Sequence, residues 1–487
     1  WSAGLPVAML NEETAEKLEV HAQDRVSIKT ISKNPREVST IIDVIHGIVK
    51  KNEIAVTSEL KKRIGLKKGQ RIDVALAEPP KSLISIKNKL NKKSLSRLEI
   101  EEIVKDITNN SLSDAEIALF VSATYKNGMS NHELIYLIDS ILKFGKKFSL
   151  KKKFVVDKHS IGGVAGNRTT PIIVSICAAA GLTMPKNSSR AITSAAGTAD
   201  VIEAIAKVDF SIKELKQIVK KTNACMIWGG ALELVPADSK IISVEKILNI
   251  DPEAMLLASI MSKKLAVGSK YILIDIPYGK SAKVNKAKAL QLKKKFEYLG
   301  RYYHRRLKVV LTDGSQPIGN GIGPILELID VIKILNPKET GPKDLEDKSI
   351  FLAAQLLEMT GKAKKQKGAE LAREILNSGK AFEKFKQIIS AQKGDIKKLG
   401  KLEPGKYRKE ILAEKSGKIS EIDNKKINLL ARIAGCPADK GAGAYLYFHV
   451  GEKVEKGEKI FKIFSESKSR LKQAIEFYED DKFIKIN

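Results

Sequence analysis

The chain has 487 residues, more than one ordinary domain holds, and its length points to about three domains. At 43% hydrophobic and 29% charged it fits packed globular domains rather than disorder, and no apolar run approaches the roughly 18 residues of a membrane span. The formal charge of +29 raises nucleic acid as a partner, but aromatics are only 6% and the lysines run along the whole chain, so a lysine-rich surface suited to phosphate-bearing ligands is expected instead.

Trp1 rather than Met at the start points to a truncated or processed beginning, and no charged-then-apolar leader indicates secretion. Cys177, Cys225 and Cys436 are odd in number and widely spaced, which reads as reduced thiols in a cytoplasmic protein. The six histidines form no cluster with them, so neither a metal nor a cofactor is expected.

Residues 1–83 carry an internal repeat, in which residues 17–28 match residues 63–74. Each copy reads as a short helix, a turn and an alternating strand, the pattern of a small two-fold β-barrel. It is similar to the substrate-recognition domains found ahead of AAA-type ATPases, although no P-loop follows. Pro79 and Pro80 read as the linker out of it. Next, Ser96 with Glu99, Ser113 with Glu116 and Ser130 with Glu133 are three capping boxes in a row, so residues 85–146 are predicted to hold three short helices. The helical domain is expected over 84–150 plus about 236–267.

From Lys153 the pattern becomes strand, glycine-rich loop, helix, repeated to about residue 336 and followed by lysine-rich helices. This gives a central α/β phosphate-binding domain over 151–235 plus about 268–410. From 411 to 487 strands return, and residues 444–465 resemble a barrel-sandwich hairpin. The fold class expected is therefore multidomain α/β: barrel, helical domain, α/β domain and a C-terminal α+β domain.

Five segments carry chemistry. Residues 157–169 leave a strand and enter a helix, and their glycines let backbone N–H groups close around an anion. Lys158 adds a full charge, and Ser160 and Thr169 add hydroxyls. Residues 187–200 form a second donor-rich loop, suited to another anion or a sugar phosphate. In the third, Asp251 before Pro252 reads first as a helix cap, while Ser259 and Lys263 share a helix face. The fourth, 275–283, is a strand and polar turn whose Lys283 alone would read as a surface lysine. The fifth, 312–323, is another glycine-rich strand-to-helix turn. His159 is the one histidine inside a motif.

On these residues the chain resembles the thymidine/pyrimidine nucleoside phosphorylases, and within them an archaeal-type branch acting on nucleoside 5′-monophosphates. The run Asp157-Lys-His-Ser-Ile-Gly-Gly163 carries the wider likeness; residues 188–200 and 274–279 carry the branch. The resemblance implies that Gly163, Ser189, Arg190, Ala191, Ile192, Thr193, Ser194, Thr198, Ser259 and Lys283, with Lys263 beside them, contact the nucleotide. It implies Asp251 as proton donor to the leaving base, with His159 next in line, and Lys158, Ser160 and Thr169 as the phosphate loop. Ala165 and Arg168 stand where that branch is expected to have Pro and Lys, and the arginine that grips a pyrimidine is missing before Asp251.

The implied reaction is phosphorolysis, with AMP the leading nucleotide and CMP and UMP as further ones. Inorganic phosphate would be the co-substrate, and α-ribose 1,5-bisphosphate a product. A raised Asp251 pKa from burial, closure between helical and α/β domains, and a homodimer or larger homo-oligomer are expected, with no membrane or nucleic-acid partner. The rivals are a pyrimidine nucleoside phosphorylase, a phosphoribosyltransferase of similar fold, and a basic nucleic-acid-binding or adaptor protein.

Overall fold

The structure is a computed structural model that describes residues 7–146, 148, 150, 152–191, 194–232 and 234–487. It divides into two compact units, Trp1–Lys146 with Val235–Ser262, and Lys147–Leu234 with Lys263–Asn487.

The first unit opens with β1 (Ala8–Asn11), α1 (Glu12–Lys17), β2 (Arg25–Thr30), β3 (Glu37–Ile45), β4 (Ile54–Val56), α2 (Ser58–Ile64) and β5 (Ile72–Leu76). The sequence repeat is visible as α1 then β2 and α2 then β5. The copies lie against each other, because β1 pairs antiparallel with β4 and β2 antiparallel with β5. Ala8, Leu10, Val26, Ile28 and Leu60 are buried between them. The strand order is β4-β1-β3-β2-β5, and among the described residues no pairing joins β4 to β5, so closure into a barrel is not part of the ladder.

Four helices follow rather than three: α3 (Ser82–Leu90), α4 (Arg97–Asn109), α5 (Asp114–Asn127) and α6 (Asn131–Lys143). The last three start at Ser96, Ser113 and Ser130, each in a complete capping box. Helix α3 begins after Lys81 with no side-chain cap, which is why the capping signal does not reveal it. Glu116 also holds the repeat domain within this unit: Arg25 donates to its Oε2 at 2.6 Å and to the Ser111 carbonyl at 2.7 Å.

In the second unit come β6 (Val156–Ser160), α7 (Thr169–Ala179), β7 (Met184–Ser188), α8 (Thr198–Glu203), α9 (Ile212–Thr222) and β8 (Ala224–Trp228). The chain returns to the first unit in α10 (Pro236–Leu248) and along α11 (Glu253–Ala266), whose last turn belongs to the second. Then follow β9 (Tyr271–Tyr278), α12 (Lys286–Tyr302), β10 (Arg306–Asp313), β11 (Gly321–Ile322) and α13 (Pro324–Leu335).

Strands β6, β9 and β10 pair in parallel, as do β7 and β8, and a parallel bridge from Val155 to Thr183 links the two sets. Helix α7 is buried along nearly its whole length, as its apolar residues demand. With α14 (Lys343–Met359), α15 (Gly368–Asn377) and α16 (Lys380–Ala391) it builds the main core.

The C-terminal part holds β12 (Tyr407–Leu412), β13 (Gly417–Ile422), α17 (Asn424–Ala434), β14 (Gly443–Leu446), β15 (Lys453–Val454), β16 (Lys459–Ser465), α18 (Lys468–Asp480) and β17 (Ile484–Ile486). Strands β14 and β16 pair antiparallel, and β11 joins their sheet. The C-terminal core includes Ala165 and Ala195 from the two phosphate-type loops of the α/β part.

Candidate active site

In a parallel sheet, loops leaving the carboxyl ends of the strands are where ligands bind. Four of the chemistry-bearing segments leave such ends: residues 161–168 after β6, 189–197 after β7, 279–283 after β9 and 314–320 after β10.

Lys158 lies within β6 and not in a polar loop, so it is buried, at 1% exposure. Its Nζ donates to Thr169 Oγ1 at 2.7 Å, which ties the strand to the first residue of α7. The Ser160 hydroxyl accepts from the Gly162 amide and from Asn167 Nδ2, both at 3.5 Å. Gly162 and Gly163 both have φ of +87°, a region costly for other residues. A Cβ at Gly163 would lie 2.5 Å from the Lys283 amide nitrogen, so glycine lets these two segments meet. The Lys283 side chain itself is exposed.

Beneath the loop sits a buried charge cluster that motif reading misses. Asp157, fully buried, faces Lys264 at 2.8 Å and Lys186 at 3.2 Å. Lys186 also donates to the Lys158 carbonyl at 2.9 Å. Asp275 accepts from Thr312 Oγ1 at 2.6 Å and faces Lys348 at 3.6 Å. Arg168 donates to Glu327 at 2.6 Å, to Thr198 Oγ1 at 3.0 Å and to the Ala196 carbonyl at 2.7 Å.

Lys158, Lys186, Lys264 and Arg168 are thus buried among Asp157, Asp200, Asp275 and Glu327. Burial pushes the Lys158 ammonium down to about 7, against the pull of Asp275, and nearby Lys348, Lys186 and Arg168 push the same way. Loss of water contact and the charges of Lys264, Lys186, Lys263 and Lys158 hold His159 well below its ordinary range. Its ring is therefore neutral near pH 7, able to hydrogen-bond but poorly suited to give up a proton as an acid.

In the second loop the side chain of Arg190 is already committed. Its fork holds Glu203 at 2.5 and 2.6 Å and lies 4.8 Å over the Trp228 ring. Arg190, with Lys440, pulls the Glu203 carboxyl down to about 2. Asp200 shapes the turn by accepting from the Ala191 amide at 2.7 Å and the Gly197 amide at 2.8 Å. Ser194 Oγ donates to the Ala196 carbonyl at 2.9 Å, and Ser189 is half-buried. Ile192 and Thr193 lie outside the described residues.

Asp251 belongs to the first unit. It follows Asn249, whose left-handed backbone ends α10, and precedes the first residue of α11 by two positions. The expected burial is not found: Asp251 is exposed, although Pro252 beside it is buried. Ser259 is half-buried and Lys263 is buried on α11. Among the described residues, no group of His, Cys, Asp or Glu could hold a metal ion, and no helix is long and apolar enough to cross a membrane.

Residues 85–145 match the glycosyl transferase family helical bundle domain, 152–382 the a/b domain of that family, and 418–484 the pyrimidine nucleoside phosphorylase C-terminal domain. The fold agrees: the anthranilate phosphoribosyltransferase of Thermus thermophilus superposes with a TM-score of 0.53 at 18% identity, over 64% of this chain and 99% of that one. The class defined by these domains is a glycosyl transferase with a helical bundle domain and an a/b domain.

An AMP phosphorylase of Pyrococcus abyssi is 47% identical over 96% of this chain and 92% of its own. Those of Thermococcus sibiricus and Methanococcus vannielii are 44% and 43% identical, over 96% and 97% of this chain and 93% of each relative. The chain belongs to the AMP phosphorylase family.

Proposed function

We propose that the chain is a pentosyltransferase that splits AMP with inorganic phosphate, giving adenine and α-ribose 1,5-bisphosphate. The observation that carries this reading beyond family membership is the gathering of Lys158, Lys186 and Lys264 beneath the glycine-rich turn at 162–163, which suits an anion. A phosphate oxygen forms the bond to C1′ of the ribose from the face opposite the base. The C1′–N bond breaks, and its electron pair leaves with adenine. Inversion at C1′ gives the α-phosphate.

Lys158, Ser160 and Thr169 are assigned to phosphate. Gly163, Ser189, Ala191, Ser194, Thr198, Ser259, Lys263 and Lys283 are assigned to the nucleotide, and Arg190 to bracing its loop. Asp251 is assigned to the proton that neutralises the departing base. Gathering two anions at one carbon lowers the barrier through proximity and pre-placed charge.

No cofactor enters this scheme. The same reading makes the protein a cytoplasmic homo-oligomer, and Ile84, Leu98 and Ile247, at 65%, 74% and 73% exposure on α3, α4 and α10, supply apolar surface for subunits to cover. Neither a pyrimidine nucleoside phosphorylase nor a nucleic-acid adaptor is favoured. Incubation with AMP should release adenine only when phosphate is present, with adenosine a much poorer substrate; equal turnover of adenosine and AMP would overturn the assignment.

A further inference from the structure

The buried face of α17 carries Asn424 at 0% exposure and Asn428 at 6%, four residues apart and so stacked on one side of the helix. Both lie more than 100 residues beyond the last chemistry-bearing loop, yet their amides end on those loops. Asn424 Oδ1 accepts from the Ala165 amide at 2.9 Å. Its Nδ2 donates to the Gly314 carbonyl and to Ser281 Oγ, each at 3.0 Å. Asn428 Oδ1 accepts from the Ala195 amide at 2.9 Å, and its Nδ2 donates back to the Asn424 carbonyl at 2.9 Å. One pair of side chains therefore touches the loops after β6, β7, β9 and β10.

We propose that Asn424 and Asn428 are positioning residues for phosphorolysis, through which the C-terminal part sets the relative placement of the four site loops. The inference rests on the function proposed above and deepens it.

The amides they hold are backbone groups in packed surroundings, since Ala165 and Ala195 are buried with the C-terminal core. Such groups have no water to turn to when a partner is lost. The choice of residue follows from the geometry. An amide side chain offers an acceptor and donors at once, and Asn424 uses both; a carboxylate keeps only the acceptor, and an alkyl group keeps neither. The Ala165 contact also depends on a free backbone N–H, which a proline at 165 would lack.

The two residues reach different loops, so their loss should be told apart. Asn428→Ala, in the full chain, is expected to raise KM for AMP roughly ten-fold and leave KM for phosphate within about two-fold, because it frees only residues 189–197. Asn424→Ala should raise both, because it frees residues 161–168, 279–283 and 314–320.

Amide exchange followed by mass spectrometry gives a readout that needs no substrate. Peptides covering Ala165 should exchange faster in Asn424→Ala, those covering Ala195 faster in Asn428→Ala, and helices α4 to α6 unchanged in both. If Asn424→Ala does not fold, Asn424→Asp carries the test: it keeps the acceptor for Ala165 but loses the donor to the Gly314 carbonyl, so protection at Ala165 should persist while both KM values still rise. KM values within two-fold of the parent in both variants, or exchange quickened equally everywhere, would overturn the proposal. If the parent does not convert AMP, the proposed function fails, and the exchange pattern alone decides whether the pair positions these loops.

Discussion

Lys158 Nζ donates to Thr169 Oγ1 at 2.7 Å, joining the strand that carries the lysine to the first residue of the following helix. Both belong to the proposed phosphate site, and each fixes the other's rotamer. The lysine cannot be treated as a loop residue: an alanine there would open a cavity as well as remove a charge.

Lys158→Met is the cleaner substitution, because it keeps the volume and removes the ammonium. A melting temperature equal to or above that of the parent is expected, since burying the charged form is costly. KM for phosphate should rise by at least about ten-fold through loss of a charge-assisted contact. Steady-state kinetics at saturating AMP checks this, and an unchanged KM would remove Lys158 from the phosphate site.

The pH dependence has a definite sign. Lys158 is held at about 7 in the folded chain, against 10.5 for an ordinary lysine. Between those values the unfolded chain carries a proton that the folded chain lacks, so stability rises with pH across that window and the full penalty applies below it. Melting curves from about pH 6 to 10 should climb less steeply in Lys158→Met than in the parent. Phosphate binding runs the opposite way: as the ammonium is lost above about 7, KM for phosphate should rise in the parent and rise less in the variant. Comparing the two proteins cancels the titration of phosphate itself.

Asp251→Asn tests the acid. Asparagine caps a helix as well as aspartate does, so the melting temperature should hold. An amide has no acidic proton to give, so kcat on AMP should fall by about a hundred-fold or more. The defect should shrink for a nucleotide whose base leaves more easily. Full activity on AMP would move the acid elsewhere, and His159, kept neutral by the lysines around it, is a poor replacement.

A chain starting near Leu83 tests the repeat domain. It loses the Arg25 contacts to Glu116 and Ser111, so a lower melting temperature is expected. The proposed site residues all remain, so phosphorolysis should persist, while light scattering should report smaller oligomers if that domain serves assembly. An unchanged mass removes the assembly role.

Local rules were readable from the chain itself. The three capping boxes need only a serine and a glutamate three residues apart, and each formed where the spacing placed it. The repeat in residues 17–28 and 63–74 survives as paired helix-and-strand copies, because periodicity is a property of neighbouring residues. The glycine-rich segments also declared themselves, since a positive φ at Gly162 and Gly163 requires that residue type.

What the chain order concealed was decided by packing. Lys186 and Lys264 look like two surface lysines among many, and only the fold closes both on Asp157 away from water. Asp251 reads from its own sequence as a helix cap and only the resemblance makes it an acid; whether it is buried depends on what packs over the turn, and it is exposed. Asn424 and Asn428 carry no motif at all. Their role arises because a C-terminal helix lands beside loops drawn from four strand ends, where buried backbone amides must find partners wherever the chain brings them.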